Sequence, residues 1–233
     1  MFFPMKRVFY LIPVLAMIVA VSFTLTRRSI LTDADTFGSI EPSSEVSDHA
    51  YVVMGEIDGK ALKWATCNVG ASIPEEFGDY FGWGEIKPMS DNPRHNSVKY
   101  TKYAKDKKTV LESVDDAATA NWGGTWRMPT DEEWTWLRKN CTWTWTKDYN
   151  ETGVAGMIVV SNVPGYEGNQ LFFPASGRWN ESGLAFYNFY GYYWSSSLHN
   201  GYSNCAWYVL FTGSFLRNYV SRFYGQSVRP VSE

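Results

Sequence analysis

Asn121-Trp-Gly-Gly-Thr-Trp-Arg-Met-Pro-Thr-Asp-Glu-Glu-Trp134 is the stretch whose reading decides the fold. Gly123-Gly124 marks a turn. Trp126 to Met128 reads as a short extended piece, because a residue that precedes proline is biased away from the helical region. Thr130 then offers a hydroxyl as an N-cap, with Glu133 three residues on, which is a capping box. Asp131 and Glu132 put negative charge in the first turn, where the helix dipole favours it. The spacing predicts a helix from about Asp131 to about Lys139, with Arg138 and Lys139 at its C-terminal end. Trp134 and Leu137 share one face of it, Glu133 and Trp136 another.

On the N-terminal side, Tyr51-Val-Val-Met54 and Leu62-Lys-Trp-Ala-Thr66 flank Asp58-Gly59, which predicts a hairpin with a tight turn. Pro74-Glu-Glu-Phe77 is expected to start one helical turn, Asp79 to Trp83 to be extended, and Lys87 to Lys108 to form a polar surface insertion. Asp115 to Asn121 is expected to be a short helix with Asp115-Asp116 in its first turn. On the C-terminal side, Thr142-Trp-Thr-Trp-Thr146 alternates strictly, so Trp143 and Trp145 share one face. Gly156 to Val160, Leu171 to Phe173, Tyr192 to Ser195 and Ala206 to Phe211 read as strands. In the last of these, Trp207, Val209 and Phe211 are expected on one buried face. Gln226 to Val231 reads as a single edge or terminal strand because of Pro230. Two short helices, many short strands and long loops make an α+β domain.

Composition narrows the class. The chain has 233 residues, room for one sizeable domain plus a targeting segment. Aromatic residues make up 17% of it, more than a minimal core needs, which points to a fold stitched by rings, an aromatic display surface, or both. The net charge is -3 and no long basic run occurs, which argues against a nucleic-acid partner. Lys6-Arg7 precede an apolar run from Val8 to Leu25, so residues 1–26 read as a signal peptide or an uncleaved signal anchor. Residues 27–49 read as a flexible tether, and residues 50–233 as the domain. Cys67, Cys141 and Cys205 contain no C-x-x-C pair, which excludes a zinc ribbon or a thioredoxin motif. An odd count in an exported chain allows a Cys67–Cys141 bridge with one free thiol, or three unpaired thiols.

Leu62 to Ala71, Gly78 to Glu85, Asp115 to Gly124, Trp126 to Thr130, Tyr193 to Ser197 and Tyr224 to Val231 occur in order across the domain. Together they resemble the Fibrobacter succinogenes major paralogous domain family. The resemblance implies a C-type-lectin-like fold, similar to the formylglycine-generating-enzyme branch, where a helix start like Arg127-Met-Pro-Thr-Asp-Glu-Glu-Trp134 recurs. It also implies an exported envelope protein. Related domains display ligand-binding loops, including the variable proteins of diversity-generating retroelements.

Few residues have the spacing of a catalytic or metal site. The formylglycine-generating branch uses paired cysteines near its C-terminus, and here only Cys205 falls in that region. Ser195-Ser-Ser197 precedes His199 but lies in no G-x-S-x-G turn, and hydroxyls bonded to backbone explain it better. His49, His95 and His199 are too dispersed to share a metal. Asp79 and Glu85 could contribute to a structural cation, although no spacing requires one. No cofactor is implied. The remaining candidate surface is Trp179, Asn180, Tyr187, Asn188, Tyr190, His199, Asn200, Tyr202, Asn204, Arg217, Asn218 and Tyr219. Tyr and Trp supply rigid contact area and Asn supplies adaptable hydrogen bonds, the composition of binding loops. The expectation is a non-catalytic module that binds an extracellular glycan or protein, with the N-terminal segment as a membrane tether. The alternatives are an enzyme of the formylglycine-generating type or a hydrolase, and a structural surface or fimbrial subunit.

Overall fold

A computed structural model describes residues 49–89, 103 and 107–233. The expected signal segment, nearly all of the expected tether, and most of the Lys87–Lys108 stretch with His95 lie outside the described residues. Among those described, no helix is long and apolar enough to cross a membrane.

The fold is α+β. Strands β1 (Tyr51–Ile57) and β2 (Lys60–Ala65) form the expected hairpin. Asp58 and Gly59 both take positive φ, 52° and 74°, as the primed two-residue turn demands. A short β3 (Tyr80–Phe81) follows, then helices α1 (Ala117–Trp122) and α2 (Asp131–Asn140). Strands β4 (Cys141–Thr146), β5 (Gly156–Ser161) and β6 (Gln170–Pro174) form an antiparallel sheet. A small hairpin pairs β7 (Arg178–Asn180) with β8 (Gly183–Ala185). Strands β9 (Gly191–Leu198), β10 (Cys205–Phe211), β11 (Phe215–Ser221) and β12 (Gln226–Ser227) complete a five-stranded sheet of order β11-β10-β9-β12-β3. β13 (Val231–Ser232) returns to pair with β2.

The five-stranded sheet separates two aromatic cores. Because β9 alternates, Tyr193 faces one core, with Trp64, Trp134, Phe173 and Phe211, while Tyr192 and Trp194 face the other, with Phe81, Trp83 and Tyr208. α2 packs on the first. Trp134 is fully buried, lies 5.0 Å from the Trp64 ring and 5.4 Å from Phe173, and donates its indole N–H to Trp194 O. The capping box at its start is complete, since Thr130 Oγ1 accepts from Glu133 N–H and Glu133 Oε2 accepts from Thr130 N–H. Arg127 donates to both Glu133 oxygens, at 2.9 and 2.6 Å, and so holds the box from outside the helix.

Several expectations are corrected. Pro74 to Phe77 is a hydrogen-bonded turn and not a helical one, with Glu76 N–H donating to Ile73 O and the Glu76 carboxylate accepting from Ser72 N–H. Only Tyr80–Phe81 of the 79–83 segment is a strand. Asp115 belongs to a 3-10 turn, and buried Asp116 is the N-cap of α1, accepting from Thr119 N–H and reaching across to Met128 N–H. His49, assigned to the tether, stacks on Trp122 at 3.6 Å. The Cys67–Cys141 bridge does not form, and all three cysteines are free thiols. Cys141 sits in the first core, whereas the Cys67 and Cys205 sulfurs lie beside Thr66 Oγ1 and Asn204 Oδ1.

Residues 226–231 are not one strand. β12 lies inside the five-stranded sheet and β13 at the edge of the β1-β2-β13 sheet, and Val228–Pro230 cross between them. Arg229, at that crossing, is fully buried and donates from Nε to Asn68 Oδ1, from Nη1 to the carbonyls of Ala65 and Thr66, and from Nη2 to Phe172 O. Burial works against its charge and lowers its pKa, so those acceptors must stand in for water.

Two stability measurements test this frame. Thr130→Ala removes the cap and should cost about 1 kcal/mol in a urea titration without changing ligand choice. Arg229→Lys should cost about 3 kcal/mol or more, because one ammonium cannot meet acceptors spread around a planar fork and leaves buried carbonyls unpaired. A midpoint unchanged by Arg229→Lys would remove that residue from the centre of the fold.

Candidate functional site

The β10–β11 hairpin turns at Thr212–Ser214, and its register puts Phe211 opposite Phe215, Val209 opposite Arg217 and Trp207 opposite Tyr219. These six side chains share one face. The phenylalanines and Val209 enter the first core. Trp207 was expected to follow them and is instead half-buried. The β9–β10 pairing slips between Ala206 and Tyr208, and β9 ends at Leu198, so the sheet gives out beside Trp207.

Loop 199–204 fills that gap. His199 lies 4.1 Å from the Tyr219 ring, 4.6 Å from Trp207 and 5.2 Å from Tyr202. Tyr202 and Tyr219 stack at 5.7 Å with 27° between their planes. Both remain open to solvent, at 56% and 40% exposure. His199 Nδ1 accepts from the backbone N–H groups of Gly201 and Tyr202, each at 3.0 Å. That arrangement leaves the ring proton on Nε2. Arg217 closes the other end. Its guanidinium carbon is 3.4 Å from the Trp207 ring centroid, and it donates to both oxygens of Asp131 at 2.6 Å. Asp131 is the first residue of α2, and its N–H is received by Ser197 Oγ. The helix start therefore anchors the ring cluster as well as the scaffold.

Of the expected site residues, the structure brings together His199, Tyr202, Arg217 and Tyr219, with exposed Asn200 and Asn204 on the same loop. Asn218 projects from the other face of β11 and bonds Tyr219 N–H with its own side chain. The rest belong to the β7–β8 hairpin and the turn that follows. Asn180 is spent on Ser182 N–H and Asn188 on Ala155 N–H. Trp179 is bridged to Gly225, and Tyr190 packs against the second core. Tyr187 is exposed. Sequence reasoning missed Trp207 and Asp131 as members of the cluster. Trp207 carried a signal, a large aromatic at the strand end where a polar loop begins. The contact of Asp131 with Arg217 spans 86 residues and has none.

A cleft of about 360 Å³ adjoins the cluster and is lined by Lys107, Lys108, Thr109, His199, Asn200 and Gly201, among others. A larger one, of about 600 Å³, lies between the β1–β2 hairpin and α2 around Trp136, and none of the expected site residues lines it.

The serines and cysteines near the site are occupied or protonated. Ser195 and Ser196 are buried, with hydroxyls donated to the carbonyls of Trp207 and Pro129. Burial pushes the Cys141 thiol up to about 12 and raises Cys205 too, so neither is a ready thiolate. Among the described residues no three His, Cys, Asp or Glu side chains converge as metal ligands. Comparison of the chain with protein-family models, with curated proteins and with solved structures finds no match.

Burial, and then the nearby Arg217 charge, hold the His199 pKa below the ordinary histidine value. A protonated Nδ1 would also confront two N–H donors. With the folded pKa depressed, the native loop is fully favoured above about pH 6.5, the unfolded value. That contribution is lost as the pH falls below it. The His199 ring protons, followed by NMR, should titrate below the free-histidine midpoint. A midpoint at or above that of free histidine would contradict the assigned tautomer.

Proposed function

We propose that this chain is an exported, non-catalytic binding module with a C-type-lectin-like fold, and that it holds a glycan on the face formed by Tyr202, His199 and Tyr219. The observation that carries the reading is the ring cluster itself. Large rings stand half in solvent although a core could have taken them, and they are held there by designed contacts with Arg217, Asp131 and the loop backbone. Flat aromatic faces suit the C–H faces of sugar rings, and the amides of Asn200 and Asn204 stand beside them to accept and donate to hydroxyls. The adjoining cleft, with Lys107 and Lys108 on its rim, gives a longer chain somewhere to continue. Export and the envelope location rest on Lys6-Arg7 and the apolar run that follows. The fold proposal rests on the ordered motifs from Leu62 to Val231 and on the α+β layout.

Strand addition by a partner subunit fits the surface less well. β11 is the edge of its sheet, but Asn218 occupies the Tyr219 N–H that an added strand would need. Among the described residues, no nucleophile lies within reach of a base at this face to support an enzyme reading.

Capture of the purified protein on a glycan array tests the proposal. Tyr202→Ala and Tyr219→Ala should each weaken capture about tenfold, equivalent to ~1.4 kcal/mol, while thermal stability stays near that of the parent. Capture that survives the double substitution unchanged would sink the glycan reading at this face.

A further inference from the structure

Buried polar side chains normally find partners, and an exception needs an explanation. Gln226 is fully buried, yet neither its amide oxygen nor its amide nitrogen has a partner among the described residues. Arg178 shares the anomaly, since its buried Nε is also unpartnered. The two belong to one place. Trp179 and Gly225 exchange both backbone hydrogen bonds as an antiparallel bridge. One residue on, Gln226 pairs with Phe81, and the parallel pairing of Ser227 with Tyr193 sets Gln226 beside Tyr192 on one face of the sheet, the same Tyr192 ring that the Arg178 guanidinium covers. Trp179 is turned to the other face, where a Cβ on Gly225 would lie 2.9 Å from its own Cβ.

The surroundings are aromatic. The Arg178 guanidinium lies 4.8 Å from the Tyr192 ring centroid and 4.5 Å from that of Tyr224. Tyr208 stacks on Tyr192. Burial pushes the Tyr192 and Tyr208 hydroxyls up, and the Arg178 charge draws both back down, so all three groups feel one another. Ring contacts neutralise no charge and accept no in-plane hydrogen bond. Among the described residues no carboxylate pairs with Arg178. Arg178 and Tyr224 are half-exposed, so the cluster opens on their side and closes on the Gln226 amide.

We propose that Arg178 and Gln226 form a binding site for a carboxylate group, walled by the rings of Tyr192, Tyr208 and Tyr224. The in-plane N–H edge of the guanidinium matches a planar carboxylate, and the Gln226 amide N–H supplies a further donor at the closed end. A water molecule would satisfy the amide but would leave the cation without a counter-charge. The site stands apart from the Tyr202–Tyr219 face and does not depend on the glycan reading of it. The carboxylate belongs to a uronic acid or to the C-terminus of a short peptide, and the two sources share this chemistry.

Titration calorimetry and thermal unfolding of the purified protein test the site, with glucuronate, N-acetylglycine, glucose and inorganic sulfate at matched ionic strength. Glucuronate or N-acetylglycine should bind and raise the Tm, with the stronger of them naming the source, and glucose should do neither. Arg178→Gln should weaken binding at least about tenfold. Gln226→Glu keeps the volume and sets a carboxylate against Arg178 from within, so it should raise the ligand-free Tm and abolish binding. Tyr219→Ala should leave carboxylate binding unchanged. The site is overturned if neither carboxylate binds, if Gln226→Glu folds and binds like the parent, or if sulfate binds where both carboxylates fail.

Discussion

The fold depends on one buried guanidinium. Arg229 reaches β2 through the Ala65 carbonyl and the loop beyond it through Thr66, reaches β6 through Phe172, and touches Asn68. Asn68 in turn donates to Phe77 O and to the Tyr193 hydroxyl, which donates to Pro174 O. Strands of three separate sheets are thus bonded through one residue pair, and Arg229 itself lies where the chain leaves β12 for β13. A cation without a carboxylate beside it is costly to bury. It is tolerated here because four hydrogen bonds and the Phe173 ring at 4.6 Å replace its hydration. The arrangement also fixes geometry, since a planar fork satisfies those carbonyls only when the three sheets are in place.

A second point of control is the start of α2. Thr130, Glu133 and Arg127 hold one side of it, and Asp131 holds Arg217 on the other. Negative charge in a helix's first turn is favoured by the dipole, and Asp131 uses that position to grip the cation that lies over Trp207. The scaffold and the ring cluster therefore share a residue. Loss of the Asp131–Arg217 pair would free the cation that lies over Trp207, whereas the Thr130 cap lies on the scaffold side of the same helix start.

What could be read from the sequence was local. The Thr130 capping box, the Asp58-Gly59 turn and the alternation of Trp143 and Trp145 each depend on residues within a few positions, and each is found as expected. The misses are non-local. Gln226 to Val231 has the composition of one strand, and only its partners in β3 and β2, 145 residues and more away, show that it serves two sheets. The β7–β8 hairpin has three-residue strands, with Trp179 also bridged to distant Gly225, and no period is visible in so short a run. Asn180 and Asn188 have binding-loop composition but satisfy backbone groups nearby, which composition alone does not distinguish. Trp207 was assigned to the core by alternation, and a register slip relative to β9 brought it out.

Four arginines show how structural and functional charge can be told apart in such a fold. Arg229 is satisfied by carbonyls, Arg127 by Glu133, and Arg217 by Asp131, so each has its hydrogen-bonding accounted for within the molecule. Arg178 has rings around it and, among the described residues, no acceptor for its Nε. Beside the Tyr192 ring that Arg178 covers, the chain carries a buried glutamine and not a carboxylate. The Gln226 amide bonds neither the guanidinium nor any other group among the described residues, so its unpartnered oxygen and nitrogen add to the folding cost of the unpartnered Arg178 Nε. That cost has no return among the described residues. It has one if an external carboxylate completes the arrangement, because an acceptor that meets two preorganised donors at an aromatic wall gains what the empty site forgoes.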